Sequence, residues 1–94
     1  EIMTEIADTT IPKLPHGVKF REDKVRGNFI LVGPERIFNA DGVATEILKR
    51  VDGKSDFGTI VRSLAEVFAA DEATIRPDVA SFLVDLSDKQ MVTL

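Results

Sequence analysis

Residues 28–53 read NFILVGPERIFNADGVATEILKRVDG, and the fold turns on how that run divides. NFILV is a strand-like apolar block, Gly33 and Pro34 are turn formers, and RIFN resumes a short strand. The proline ring presets φ for position i+1 of a tight turn, and Gly33 supplies permissive backbone beside it. Two strands joined by so short a turn pair antiparallel. From Val43 the apolar residues fall at Val43, Ala44, Ile47, Leu48 and Val51, a spacing that gathers them on one side of a helix. Asn39 or Asp41 can cap its start, and Gly53 stands beyond its end to stop it.

Upstream, VKF at residues 18–20 and the charged stretch EDKVRG add a first strand and a turn at Gly27. The result is a three-stranded meander. Strands of about four residues are not stable alone, so one face, carrying Phe20 and part of FILV, must be covered by helices. Downstream, Asp56 can cap a second helix whose stripe is Phe57, Ile60, Val61, Leu64, Ala65 and Phe68, ending over Ala69 to Glu72. Gly58 in its first turn costs about 1 kcal/mol relative to alanine unless something packs closely there. A third helix is expected from Thr74 to Lys89, with Ile75, Val79, Phe82, Leu83 and Leu86 on one face. Pro77 is tolerable there only near the start. The tail QMVTL returns to an extended pattern. The expected class is therefore α+β: a three-stranded antiparallel sheet followed by a three-helix bundle, winged-helix-like. Residues 1–17, with Pro12 and Pro15 around Leu14, read as a flexible arm, extended or disordered, that can become ordered against the body with Leu14 as an apolar anchor, and residues 18–94 as the domain.

Ninety-four residues allow one domain and leave little material for a second. With no cysteine there are no disulfides, thiolate metal sites or iron–sulfur ligands. The lone His16 lies in the arm, and the carboxylate pairs Asp71–Glu72 and Asp85–Asp88 have the spacing of ordinary solvated helix faces. No GxGxxG or GxxxxGK[ST] run offers a phosphate cradle. Neither a catalytic residue, a metal ligand nor a cofactor site is expected, and the chain is not expected to be an enzyme. No apolar run reaches membrane-spanning length and no secretory leader is visible, so the expected location is the cytoplasm, without a membrane partner. The net charge of -4 argues against nucleic acid. Helices one and two could still form a helix-turn-helix pair, so a winged-helix nucleic-acid binder stays as the alternative. Its second helix, however, offers Arg62 as its only basic side chain.

What remains is a surface. If the third strand, around Glu35 to Asn39, is outermost, its free N–H and C=O groups can accept an extended peptide as a fourth strand. Helix three is the candidate second wall, with Phe82 and Leu86, flanked by Asp85 and Lys89, shared between core and groove. Alternation allows only one of Ile37 and Phe38 to point inward. The same edge can pair with itself, so a monomer that dimerises at high concentration is the expected state.

The run LVGPERIFNADGVATEILKRVDGKSDFGTIVRSLAEVF, continued by IRPDVASFLVDLSDKQMV, resembles the pyrroloquinoline quinone synthesis protein D family. The resemblance rests on the PER turn at residues 34–36, the A-x-E-I-L-x-x-V-D-G segment from Ala44 to Gly53, I-V-x-x-L-x-x-x-F from Ile60 to Phe68, and D-V-x-x-F-L from Asp78 to Leu83. PKLPHGVKFRED looks like the family's N-terminal segment. What this implies is a peptide chaperone similar to the recognition domains that bind leaders of ribosomally made peptides. Such a chaperone would bind the precursor peptide PqqA and present it to the radical S-adenosylmethionine enzyme PqqE. By the same resemblance, leader binding falls to Arg36, Ile37, Phe38 and Asn39 on the third strand and to Phe82, Asp85, Leu86 and Lys89 on the third helix.

Overall fold

A computed structural model describes residues 6–94. Three strands, β1 (Lys19–Asp23), β2 (Asn28–Val32) and β3 (Ile37–Ala40), precede three helices, α1 (Gly42–Leu48), α2 (Phe57–Phe68) and α3 (Glu72–Asp88). The sheet order is β1-β2-β3 with both pairings antiparallel, so β3 is an edge strand. Register decides which side chains the helices cover. Leu31 lies opposite both Phe20 and Phe38, and Phe29 opposite Ala40. These residues share one face; Leu31 and Ala40 are buried in the core and the three phenylalanines pack against it. The other face carries Lys19, Arg21, Ile30, Val32, Ile37 and Asn39.

The caps account for where the helices begin. Asp41 accepts from the Ala44 N–H at 2.8 Å and Asp56 from the Thr59 N–H at 2.9 Å, each satisfying a first-turn donor that has no partner within its helix. Of the two caps open for α1, Asp41 is the one used. Regular α1 stops at Leu48, and Arg50 and Val51 instead donate back three residues, to Ile47 and Leu48, at 3.1 Å each. This tighter turn still buries Val51. The α3 helix starts at Glu72, two residues earlier than its apolar period suggests. Pro77 therefore falls in the second turn, where its missing N–H leaves the Ala73 carbonyl to water. Buried Val79, Ala80, Leu83 and Leu86 form the inner stripe of α3. Two residues expected on inner stripes are out of the core: Val43 is 55% exposed and Phe68 40%. Each sits at the end of its helix, where the neighbouring layer no longer reaches.

The arm takes the ordered one of the two states open to it. Its first five residues lie outside the described ones, but residues 6–17 are laid along the body. The Phe57 and Gly58 N–H groups, the first two of α2, donate to the carbonyls of Thr10 and Asp8 at 2.7 and 3.1 Å. The arm thus supplies acceptors for donors that a helix start leaves open. A Cβ on Gly58 would lie 3.3 Å from the Cβ of Asp8, which explains a glycine in a helical first turn by close backbone approach. Arg76 pairs with Asp8 and lies 5.3 Å from the centre of the Phe57 ring. Further on, Pro12 is fully buried, and Lys13 and Thr93 exchange backbone hydrogen bonds of 2.9 and 2.7 Å. The extended tail after α3 is held by this bridge with Met91 and Val92 buried. Contacts therefore run across the boundary expected at Val18. The prolines preset an extended backbone, and the open amides of α2 give it somewhere to dock.

Candidate binding groove at the sheet edge

The hydrogen-bond parity of β3 can be worked out from its hairpin. Gly33 N–H donates to the Arg36 carbonyl at 2.8 Å, so residues 33 and 36 form a hydrogen-bonded pair across the Pro34–Glu35 turn. In an antiparallel ladder such pairs alternate with non-bonded ones. Given the register, Leu31–Phe38 and Phe29–Ala40 exchange bonds, whereas Val32–Ile37 and Ile30–Asn39 do not. The N–H and C=O groups of Ile37 and Asn39 therefore point away from the sheet. Two donors and two acceptors stand open on the edge, at the spacing an added strand would use.

Two cavities lie near this edge, one between β3 and the helices and the other between the β2–β3 turn and the end of α3 with the tail. The first, about 490 Å³, is lined mainly by apolar groups, including Phe38, Val43, Ile47, Phe68, Ile75 and Phe82, with Asp41 and Asp78 on its wall. Phe38 and Phe82 meet there edge-to-face, their ring centres 5.8 Å apart at 60°, an arrangement that favours the electron-poor ring edge against the π face. The second, about 740 Å³, is lined by the Gly33–Arg36 turn, by His16, and by the end of α3 and the tail through Lys89 and Met91. Arg36 and Lys89 line the same cavity and Phe38 meets Phe82, so the strand and the helix run in opposite directions along the groove.

The eight residues expected to bind peptide separate accordingly. Phe38 and Phe82 are brought together at the apolar cavity, and Arg36 and Lys89 at the polar one. Ile37 is 66% exposed with its side chain on the outer face, and Asn39 shares that face; what these two offer the groove is backbone. Asp85 forms an ion pair with Lys89 at 3.1 Å, an exposed i,i+4 pair worth about 0.3–0.5 kcal/mol, and it lines neither cavity. Leu86 is a correction. It is 0% exposed and packs in the core, because its position on α3 shares the inner stripe with Val79 and Leu83, so it has no surface to give a ligand. In the other direction, Val43, Ile47 and Phe68 line the apolar cavity although their spacing reads as core. Ile47 is buried as its spacing predicts and forms the floor side of the cavity, whereas Val43 and Phe68 are exposed because they sit at the ends of α1 and α2. Among the described residues no cluster of three or more His, Cys, Asp or Glu could hold a metal, and no helix is long and apolar enough to cross a membrane.

Comparison with known proteins bears on the same elements. The family model described as coenzyme PQQ synthesis protein D (PqqD) matches residues 28–92, from β2 through the buried tail. A protein of Rhodopseudomonas palustris strain TIE-1, named PqqA binding protein, is 36% identical over 88 residues, covering 94% of this chain and 86% of its own length. The bifunctional coenzyme PQQ synthesis protein C/D of Methylorubrum extorquens is 36% identical over 89 residues, 95% of this chain but 24% of that protein. The chain thus spans about a quarter of that relative. A solution NMR structure of the PqqD truncation of Methylobacterium extorquens PqqCD superposes with a TM-score of 0.79 at 35% identity, covering 97% of each chain. It is described as a functional, stand-alone recognition element for ribosomally synthesized and post-translationally modified peptides. With its family model spanning more than half the chain and relatives matched along nearly all of it, the chain belongs to the coenzyme PQQ synthesis protein D (PqqD) family.

Proposed function

We propose that this chain is a peptide chaperone of pyrroloquinoline quinone biosynthesis that binds the precursor peptide PqqA in extended form along β3 and presents it to the radical S-adenosylmethionine enzyme PqqE. The observation that carries the reading is the pair of open backbone positions, Ile37 and Asn39, beside cavities lined by Phe38 with Phe82 and by Arg36 with Lys89. The backbone supplies sequence-independent pairing, and the groove selects side chains at every second peptide position. Asp85 acts through its ion pair with Lys89. The name of the R. palustris relative, PqqA binding protein, supports the choice of cargo.

Chemistry on the peptide belongs to the enzyme, and this chain contributes binding. Both partners place it in the cytoplasm, where ribosomally made peptide is produced. The recognition unit comprises residues 18–94 together with the docked part of the arm. Its resting state is a monomer, because the edge that accepts peptide also permits β3 to pair with β3 of a second copy only at high concentration.

Titration of isotopically labelled protein with PqqA tests the cargo. The largest amide shifts are expected at residues 36–40 and on the Phe82 side of α3, with light scattering showing that added peptide suppresses any dimer. Unchanged spectra at excess peptide overturn the reading. Adding PqqE to the complex should then yield modified peptide, and modification by this chain without PqqE overturns its assignment as a chaperone.

A further inference from the structure

The sheet face turned away from the helices has no role in the groove. Its side chains form two cross-strand rows, Lys19–Val32–Ile37 and Arg21–Ile30–Asn39. None of the three aliphatic residues belongs to the core or packs against it, and Lys19 and Arg21 have no ion-pair partner among the described residues. Charge is also distributed unevenly. Residues 19–37 carry five Lys and Arg against three Asp and Glu, although the chain as a whole carries twelve against sixteen. The sheet is the basic pole of an acidic protein, with an aliphatic strip on its outer face.

Alternation links this face to the peptide. A strand added to β3 bonds to Ile37 and Asn39, and the peptide residues opposite those two project on the same side as Ile37 and Asn39, away from the groove. Each row is then lengthened by one peptide side chain. The residue between them, opposite Phe38, is the one turned into the groove. Resting on the function proposed above, we infer that the outer face of the sheet is where the peptide-modifying enzyme docks, through a surface whose apolar centre is rimmed by carboxylates. Apolar contact covers Ile30, Val32 and Ile37, and the carboxylates meet Lys19 and Arg21. The enzyme thereby reads the peptide side chains that the groove leaves displayed, so peptide and enzyme bind cooperatively.

Lys19→Glu with Arg21→Glu tests this. Both side chains are exposed, have no ion-pair partner among the described residues, and lie on β1, the strand farthest from the peptide edge. The folded protein, checked by its NMR spectrum, should bind PqqA within about twofold of the unaltered affinity. Its affinity for PqqE should fall on the order of tenfold, with a weakened salt dependence. In the unaltered protein, PqqE should broaden the amides of residues 19–21 and 30–32, and PqqA should tighten PqqE binding. Unchanged PqqE affinity in the doubly reversed protein overturns the inference. So does a face that binds duplex DNA in a manner lost with the reversal while PqqE binding persists. Failure of the unaltered protein to bind PqqA removes the chaperone reading on which the inference rests, a result separable from loss of enzyme docking alone.

Discussion

Because the outward amides belong to Ile37 and Asn39, two neighbouring proline substitutions should have opposite consequences. Asn39 is exposed, makes no side-chain hydrogen bond among the described residues, and directs its N–H away from β2. Asn39→Pro removes a donor that the fold does not use, at an edge position where proline is tolerated. A stability loss of no more than about 1 kcal/mol is expected from adjusting φ. Peptide binding should suffer more. One inter-strand bond contributes about 0.5–1.5 kcal/mol net, and the pyrrolidine ring would also occupy the place of the peptide carbonyl, so affinity should drop about tenfold or more, since 1.4 kcal/mol is a factor of ten. Ala40→Pro is the control one residue along. Its N–H belongs to the bonded pair with Phe29, and Ala40 is buried. Losing that bond and stranding the Phe29 carbonyl costs about 3 kcal/mol, a large part of the roughly 5–14 kcal/mol expected for a domain of this length. Urea unfolding measures the first quantity, and calorimetric titration with PqqA the second. An Asn39→Pro protein that binds peptide normally, or that unfolds while Ala40→Pro stays folded, refutes the assigned parity and with it the strand-addition geometry.

Three further outcomes follow from the packing. Leu86→Ala should lose about 2–5 kcal/mol of unfolding free energy while the folded fraction binds PqqA with unchanged affinity, because Leu86 touches only core; a selective affinity loss would return it to the groove. Pro77→Ala restores a donor for the Ala73 carbonyl in an exposed second helical turn and should stabilise by about 1 kcal/mol in urea unfolding. The pH dependence has a definite sign. Hydrogen bonds from Ser55 and Lys54 N–H hold Asp52 below its usual value, the Thr59 N–H does the same for Asp56, and hydrogen bonding from Arg50 lowers Glu46. With folded values below the unfolded values of about 4, the stability these groups contribute is fully present above that range and is lost as pH falls through the folded values. The midpoint of thermal unfolding should drop on acidification below about pH 4 and be insensitive to these groups between pH 6 and 8, and Asp56→Ala should flatten part of that drop.

The elements themselves were legible because their signals are local. Strand runs broken by Gly27 and Gly33, caps at Asp41 and Asp56, and apolar spacing of 3.6 residues each depend on a few neighbouring residues. The sequence does not show where those signals stop. Val43 and Phe68 satisfy the helical period as well as Ile47 and Leu64 do, and only the distance to the next layer leaves the first two exposed. The state of the arm stayed open for a related reason. Pro12, Leu14 and Pro15 predict an extended backbone, but an extended backbone is either free or docked, and the acceptors that dock this one answer the open amides of Phe57 and Gly58, more than 45 residues away. Gly58 was the one local hint, since a glycine in a helical first turn without a nearby reason implies a close approach.

The site divides along the same line. That the third strand can be an edge, and that only one of Ile37 and Phe38 points inward, follow from strand order and period 2; that the inward one is Phe38 is read from the register. Which of the two offers its backbone to a ligand does not follow either, because side-chain face and amide direction alternate together and the sequence does not show on which side of β2 the strand lies; the turn sets that. The bond from Gly33 N–H to Arg36 sets it here. A one-residue slip of β3 would turn the Phe38 ring to the outer face and its amide outward together, and the amides of Ile37 and Asn39 that now hold the edge open would be spent on β2. The turn Gly33–Pro34–Glu35–Arg36 thus acts on recognition without touching the peptide's central residues. Lengthening that turn by one residue so that β3 slips should move the Phe38 ring away from Phe82 and lose PqqA binding together, and a slipped protein that retained affinity would mean that neither the groove nor the edge carries the binding.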